Sequence, residues 1–268
     1  MESAKRFSFG KNWQRFLNSL TEERIKEAEK SLTSFLGLEN LKGKTFLDIG
    51  CGSGLFSYAA YRLGADKIVS FDVDPFSVKC CEYLHSKAGK PKNWKVLQGS
   101  VLDNKFLETL GEFDIVYAWG VLHHTGNMWQ AIKNSAKLVK KGGFYYIAIY
   151  NKVDGLLGSK FWLKVKKFYN EYPLIGRIFL EPMYMFACIL KFLIKGKNPI
   201  NEIKNYSKER GMSWRTDISD WLGGYPYEFA SVEEIFKFIK THFPSFELVN
   251  IKTTSGFGNN EYLFIRRE

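Results

Sequence analysis

Nine residues, Phe46-Leu47-Asp48-Ile49-Gly50-Cys51-Gly52-Ser53-Gly54, join a short apolar run to a loop with glycine at every second position. Without Cβ atoms at Gly50 and Gly52, a ligand can lie against the backbone at the strand end, and Gly54 permits close entry into a following helix. A second apolar run, Lys67-Ile68-Val69-Ser70-Phe71, ends in Asp72, eighteen residues after Gly54. That spacing fits one crossover helix, Leu55 to about Leu63, and brings the Asp72 carboxylate beside the glycine loop, where it can accept both hydroxyls of a ribose. A further pair, His123-His124, follows the apolar run Phe113 to Trp119 and supplies imidazoles suited to proton removal near neutral pH.

A ribose-binding carboxylate behind a glycine loop fits a nicotinamide dinucleotide or S-adenosylmethionine. Leu55 stands where the dinucleotide fingerprint has its third glycine. That fingerprint also reserves the helix start for a pyrophosphate, whereas an acidic residue, Asp48, opens this loop. Downstream come the strand Phe113 to Trp119, then Gly120-Val121-Leu122-His123-His124 and an amphipathic stretch from Met128 to Val139. Lys140-Lys141-Gly142-Gly143 then turns into a strand from Phe144 to Tyr150. In this order and spacing, residues 44 to 150 resemble a class I S-adenosylmethionine-dependent methyltransferase of the small-molecule, ubiquinone-methylase-like type. The resemblance implies that Asp48, Gly50, Gly52 and Gly54, with Cys51 among them, hold the methionine end of S-adenosyl-L-methionine. It implies that Asp72, followed by Val73, binds the ribose. Ser100 and Val101, after the strand Lys95 to Gln98, then lie at the adenine edge, with Ser100 where many family members carry an acidic residue. Trp119 and Gly120 line the methyl-donor side, and S-adenosyl-L-homocysteine is the product.

The elements that position these residues give an α/β fold: a Rossmann-like, seven-stranded, mostly parallel sheet with helices on both faces, an N-terminal helical cover and a helical insert. Residues 1–43 form the cover, with helices Trp13 to Leu20 and Glu22 to Leu36, the second capped by Thr21. Lys11 or Arg15 is available to the cofactor carboxylate, or else the stretch is a solvated face with Trp13 and Phe16 packed inward. Residues 44–150 form the cofactor core and 151–230 a basic, aromatic helical insert on the acceptor side. Residues 231–268 supply a helix and the last two, antiparallel strands. Ser231 and Glu234 are spaced as a capping box for the helix running to about His242, ahead of strands Phe246 to Thr253 and Glu261 to Arg266.

Composition is that of a globular protein: 268 residues, 45% hydrophobic. Four cysteines, Cys51, Cys80, Cys81 and Cys188, lack metal-ligand spacing and form no disulfide framework. The expectation is a reducing, cytoplasmic setting and no obligatory metal. The charged stretch Met1 to Gly10 has no signal-peptide core, so secretion is not expected. Charge is local: Lys152 to Arg215 holds thirteen Lys or Arg and five Asp or Glu, +8 of the net +11. Within it runs Pro173 to Ile194, too interrupted by Arg177, Glu181, Pro182 and Lys191 to span a bilayer, which needs about 20 apolar residues. Flanked by Lys160, Lys164, Lys166, Lys167, Lys195 and Lys197, it reads as a lid helix, a dimer contact, or a peripheral contact with a membrane or lipid-linked substrate. No RNA-binding module accompanies the charge, which argues against nucleic acid.

Methyl transfer from a sulfonium is an in-line displacement, so the protein chiefly aligns donor and acceptor and excludes water. A hydroxyl acceptor benefits from a base, and His123 or His124 fills that role while the other caps the turn. Tyr150, Asn151, Trp214, Asp217, Trp221 and Tyr225, with Asp220, could bind a ring or sugar, or the two tryptophans could anchor the insert. Asn260 and Glu261 are further pocket candidates. The expected reaction is O-methylation of a phenolic, quinone-like or sugar acceptor, with an RNA or protein methyltransferase, a non-catalytic binding module and an NAD oxidoreductase as alternatives.

Overall fold

Side chains point alternately to opposite faces along a strand, so the continuous apolar runs of the central strands supply both faces of one sheet. In the computed structural model, which describes residues 7, 10, 13, 17, 20–210 and 214–268, seven strands pair in the order β3-β2-β1-β4-β5-β7-β6. They are β1 (Thr45–Ile49), β2 (Lys67–Asp72), β3 (Trp94–Gln98), β4 (Phe113–Trp119), β5 (Val139–Tyr150), β6 (Phe246–Lys252) and β7 (Asn259–Arg266). Strands β1 to β5 run parallel, and β7 pairs antiparallel with both β5 and β6. On β4, Ile115 and Tyr117 face a core shared with Phe46, Ile68 and Tyr146, whereas Val116 and Ala118 face one shared with Leu47, Val69 and Ile147.

Each face is covered by helices with legible ends. The helix Glu22–Leu36 starts at Thr21, whose side chain accepts the Arg24 N–H, and stops at left-handed Gly37. Pro75 at the first turn and Asp74 as cap open Pro75–Lys87. Ser231 and Glu234 form the expected capping box at Val232–His242. Around the Lys140–Gly143 turn the boundaries differ from expectation. The helix beginning at Met128 ends at Ala136, and Val139 already pairs with Phe113, so β5 begins before the Lys140–Gly143 turn. Gly142, at φ +73°, makes that turn a bulge within the strand, where the register against β4 shifts. Lys11, Arg15 and Phe16 lie outside the described residues.

The insert leaves and re-enters the sheet at neighbouring points. An isolated parallel bridge joins Asn151 to Ala230, and the Lys152 N–H donates to the Ala230 carbonyl at 3.1 Å. Between them lie helices Ser159–Glu171, Glu181–Ile194, Pro199–Arg210 and Trp214–Gly223, the second preceded by a π turn at Gly176–Leu180. A separate small core of Tyr169, Ile218 and Leu222, packed by Trp162, Tyr184 and Trp221, holds them together. Buried Glu181 accepts hydroxyl hydrogens from Tyr169 at 2.6 Å and Ser219 at 2.7 Å. The Lys166 ammonium, also buried, donates to the Trp221 carbonyl and lies 4.0 Å from the Trp221 ring centroid. Among the described residues, no helix is long and apolar enough to cross a membrane.

Candidate active site

At the carboxyl edge of β1 the chain turns into a cradle of backbone groups. Gly50 and Gly52 adopt φ of +67° and +53°, and the Gly50 and Cys51 N–H groups donate to the Phe71 carbonyl at 2.8 and 3.0 Å. Gly54, at φ +80°, caps the helix Leu55–Arg62 and sits so close to the neighbouring helix that a Cβ there would lie 2.8 Å from the Cys81 Cα. Asp72, at the end of β2, accepts the Gly52 N–H at 3.0 Å through Oδ2 and the Asp74 N–H at 2.9 Å through Oδ1. The carboxylate therefore fixes the loop it was expected to neighbour. Burial raises its pKa, opposed by those two N–H groups.

Asp48 is 3% exposed and ends a directional chain of hydrogen bonds. The Trp94 indole can only donate, and does so to the Ser70 Oγ at 2.8 Å. Ser70 and Ser57 are 2.6 Å apart, and the Ser57 hydroxyl donates to Asp48 Oδ2 at 2.5 Å. Burial lifts the Asp48 pKa to about 7, with the Ser57 hydrogen bond opposing and the Asp72 charge reinforcing the rise. One cavity of about 1190 Å³ runs from this loop to the insert. Its wall includes the expected Asp48, Gly50, Cys51, Gly52, Asp72, Val73, Ser100, Val101 and Trp119 at one end. Tyr150, Trp214, Asp217, Asp220, Trp221 and Tyr225 line its other parts.

The two adjacent histidines part ways. They lie in a 3-10 turn, Leu122–His124. His124 reaches the cavity, and its Nδ1 lies 2.6 Å from the Pro226 carbonyl. His123 is fully buried, does not line the cavity, and packs with its ring centroid 4.0 Å from that of Tyr150. Burial, with the His124 and Lys166 charges behind it, holds its pKa well below the ordinary histidine value. Of the pair, one of which was expected to serve as base while the other held the turn, only His124 lines the cavity. Asn151 does not line the cavity: its amide donates to the Thr254 and Gly256 carbonyls at 3.0 and 3.1 Å and accepts from Asn260 at 3.0 Å, at the edge of the β-sheet. Asn260 is buried in the same network and is not on the cavity wall, whereas Glu261 is.

Several wall residues carried no usable signal in the sequence. Tyr184, Cys188, Lys191 and Phe192 come from one helical face of the insert, and Lys252 and Asn259 from the strand ends. Lys195 and Lys197, read as flanks of an apolar helix, line the cavity too. Phe7 and Trp13 close it from the N-terminal side, the Phe7 N–H donating to the Tyr225 carbonyl at 3.0 Å. The Tyr117 hydroxyl, the Asn259 side-chain oxygen and the Trp221 indole N–H are buried on or behind the wall without a protein partner. Together with a glycine cradle that side chains would fill, the orphaned Tyr117 hydroxyl, on β4 opposite Asp48, fits a polar cofactor that supplies its missing hydrogen bond. Among the described residues, no group of His, Cys, Asp and Glu could hold a metal ion.

Residues 40–219 match a family model described as a methyltransferase domain. A ubiquinone biosynthesis O-methyltransferase from Pelagibacter ubique is 34% identical over 130 residues, 46% of this chain and 51% of that protein. Its counterpart from a Methylobacterium species is 29% identical over 119 residues, 44% of this chain and 45% of that protein. The chain thus spans about half the length of the curated relatives it matches. Among solved structures, magnesium protoporphyrin IX methyltransferase from Synechocystis with bound SAH superposes with a TM-score of 0.53 at 12% identity, over 95% of this chain and 92% of that one. A SAM-dependent methyltransferase from Aquifex aeolicus gives 0.51 at 14% identity, over 95% and 98%. At such identities the likeness is one of fold.

Proposed function

Because the chain belongs to the class I S-adenosylmethionine-dependent methyltransferases, we propose that it transfers the methyl group of S-adenosyl-L-methionine to a hydroxyl oxygen of a small phenolic or quinone-like acceptor. The observation that carries the reading is His124, on the same cavity wall as the glycine cradle, with Nδ1 turned to the Pro226 carbonyl. A carbonyl accepts only, so Nδ1 bears the hydrogen, and the neutral ring has its lone pair at Nε2. That nitrogen takes the acceptor's hydroxyl proton.

Asp72 and the backbone of Gly50 to Gly52 hold the cofactor at the adenosine and methionine ends, and Asp48 offers a carboxylate to its cationic portion. Bound there, the cofactor supplies an activated methyl group whose leaving group needs no further assistance. Trp119, Tyr150, Trp221 and Tyr225 present flat apolar faces that orient an aromatic ring and keep water away. The relatives named as ubiquinone biosynthesis O-methyltransferases support a phenolic acceptor for this chain.

The test is calorimetric titration with S-adenosylmethionine, S-adenosylhomocysteine and NAD, followed by labelled-methyl assays on a panel of catechols and hydroquinones. Binding of the first two without NAD, and label appearing on an acceptor oxygen, is the expected result. Binding of NAD alone would overturn the cofactor, and label found only on protein or RNA would overturn the acceptor class.

A further inference from the structure

The helix Glu181–Ile194 presents two chemically distinct faces. At about 100° per residue, Tyr184, Cys188, Lys191, Phe192 and Lys195 share an arc of about 100°, and all five line the cavity. Met183, Phe186, Leu190, Leu193 and Ile194 share a second arc of similar width. Their exposure runs from 41% at Leu190 to 85% at Ile194. The preceding π turn extends the apolar strip with Ile178 and Phe179, 62% and 66% exposed. Scattered surface hydrophobics need no explanation, but a strip this continuous on one element marks an interaction face.

Charge selects the partner. Of the insert's lysines, Lys166 is buried and Lys191, Lys195 and Lys197 line the cavity, so the outward charge lies elsewhere. On the helix Ser159–Glu171, exposed Lys160, Lys164 and Lys167 alternate with Phe161 and Phe168, themselves 39% and 40% exposed. A second copy docked symmetrically on the same strip would bring two such basic segments together, which repels. An anionic bilayer complements both properties, apolar side chains entering the acyl boundary while lysines meet acidic headgroups. No described helix can cross the bilayer, so contact is in the plane of the interface.

We propose that the outer face of the insert, centred on Phe179, Met183 and Phe186, is a docking surface for anionic lipid bilayers. It lies back to back with the cavity wall on one helix, so docking would set the insert between membrane and cavity. The surface stands independently of the acceptor and of the reaction.

The experiment is flotation of the full chain with vesicles of pure phosphatidylcholine and of phosphatidylcholine containing about 30% phosphatidylglycerol, with light scattering for oligomeric state. The expected result is flotation with the anionic vesicles, weakened by salt. Phe179→Asp with Phe186→Asp should cut partitioning at least about tenfold at unchanged melting temperature. Lys160→Glu with Lys164→Glu should cut it by about fivefold or more, and provides the charge readout should the first pair unfold the lid. Failure to float, or equal flotation of the parent and both variants, would overturn the proposal. So would a parent dimer that Phe179→Asp with Phe186→Asp converts to monomer without loss of lipid binding, since a second copy would then cover the strip.

Discussion

His124 Nδ1 and the Pro226 carbonyl oxygen lie 2.6 Å apart although 102 positions separate the residues. The first belongs to the turn after β4 and the second to the segment by which the insert returns to the sheet. The orientation of the proposed base is therefore set by the element that also shapes the acceptor end of the cavity. Glu228 ties the same segment down, its N–H donating to the His123 carbonyl at 2.9 Å and its carboxylate accepting the Met128 N–H.

His124→Gln keeps a polar side chain but removes the proton acceptor. Turnover on a phenolic acceptor should fall about 10²- to 10⁴-fold, the span typical of a lost general base. Affinity for S-adenosylhomocysteine should stay within about twofold, since the cofactor cradle is untouched. Steady-state kinetics and calorimetry on the same preparation check both. Parallel loss of cofactor affinity would mean that the residue shapes the cradle rather than handling the proton.

His123 yields a stability prediction with a definite sign. Its folded pKa is held well below 6.5 by burial and by the His124 and Lys166 charges. The unfolded imidazole binds a proton below about pH 6.5 that the folded one refuses, so stability contributed at neutral pH is lost as pH falls. Between pH 7.5 and 5.5 the parent should lose about 1 kcal/mol relative to His123→Gln in urea unfolding. Comparing parent with variant isolates this slope from that of Asp48, whose raised pKa works in the opposite direction. Identical slopes would refute the buried neutral histidine.

Asp48, with a folded pKa of about 7, is only partly ionised at neutral pH. A raised carboxyl pKa favours the fold below the unfolded value and loses that contribution as pH rises through about 7. A cationic cofactor draws on the ionised form, so affinity for S-adenosylmethionine should rise up to about tenfold from pH 6 to pH 8. Asp48→Asn should bind more weakly with a flatter pH profile. Calorimetric titration across that range decides it; an equal slope in the variant would assign the titration elsewhere.

The cofactor half was legible because its signals are local. Positive φ at Gly50, Gly52 and Gly54 and a carboxylate at the end of β2 follow from strand ends and loop lengths, which spacing encodes. The acceptor half was not. His123 and His124 are neighbours of one type, and only tertiary partners, Tyr150 packed closely on His123 and the distant Pro226 carbonyl at His124, separate the buried ring from the one at the cavity. Lys191 and Lys195 read as interruptions and flanks of an apolar stretch, since sequence gives a helix its faces but not the direction in which each will point. Pro226 contributes a backbone carbonyl, a group every residue possesses, so no residue type announced it.

Asp72 accepts the N–H groups of both Gly52 and Asp74, so it should matter before any ribose arrives. Asp72→Ala would leave those donors without their charged acceptor, and each such bond is worth about 1.5–3 kcal/mol. Cofactor affinity should fall at least about tenfold. Asp72→Asn keeps an acceptor oxygen and should fall less. Equal affinity across the three proteins by calorimetry would remove Asp72 from the cofactor site.

Gly50 couples the cradle to the turn that bears His124. It holds φ +67°, and a Cβ there would lie 2.4 and 2.6 Å from the two methyls of Val121, the residue that precedes the 3-10 turn. Gly50→Ala therefore meets two separate costs: about 1–2 kcal/mol of left-handed backbone strain and the displacement of Val121. Only the second can be relieved by trimming the neighbour. Val121→Ala in the Gly50→Ala background should recover part of the lost stability, whereas alone it should destabilise by opening space beside a glycine. Urea unfolding of the four proteins in a double-mutant cycle measures the coupling. A favourable coupling of about 0.5 kcal/mol or more is expected for residues in contact; strict additivity would show that strain alone keeps glycine at this position and that the cradle and the His124 turn move independently.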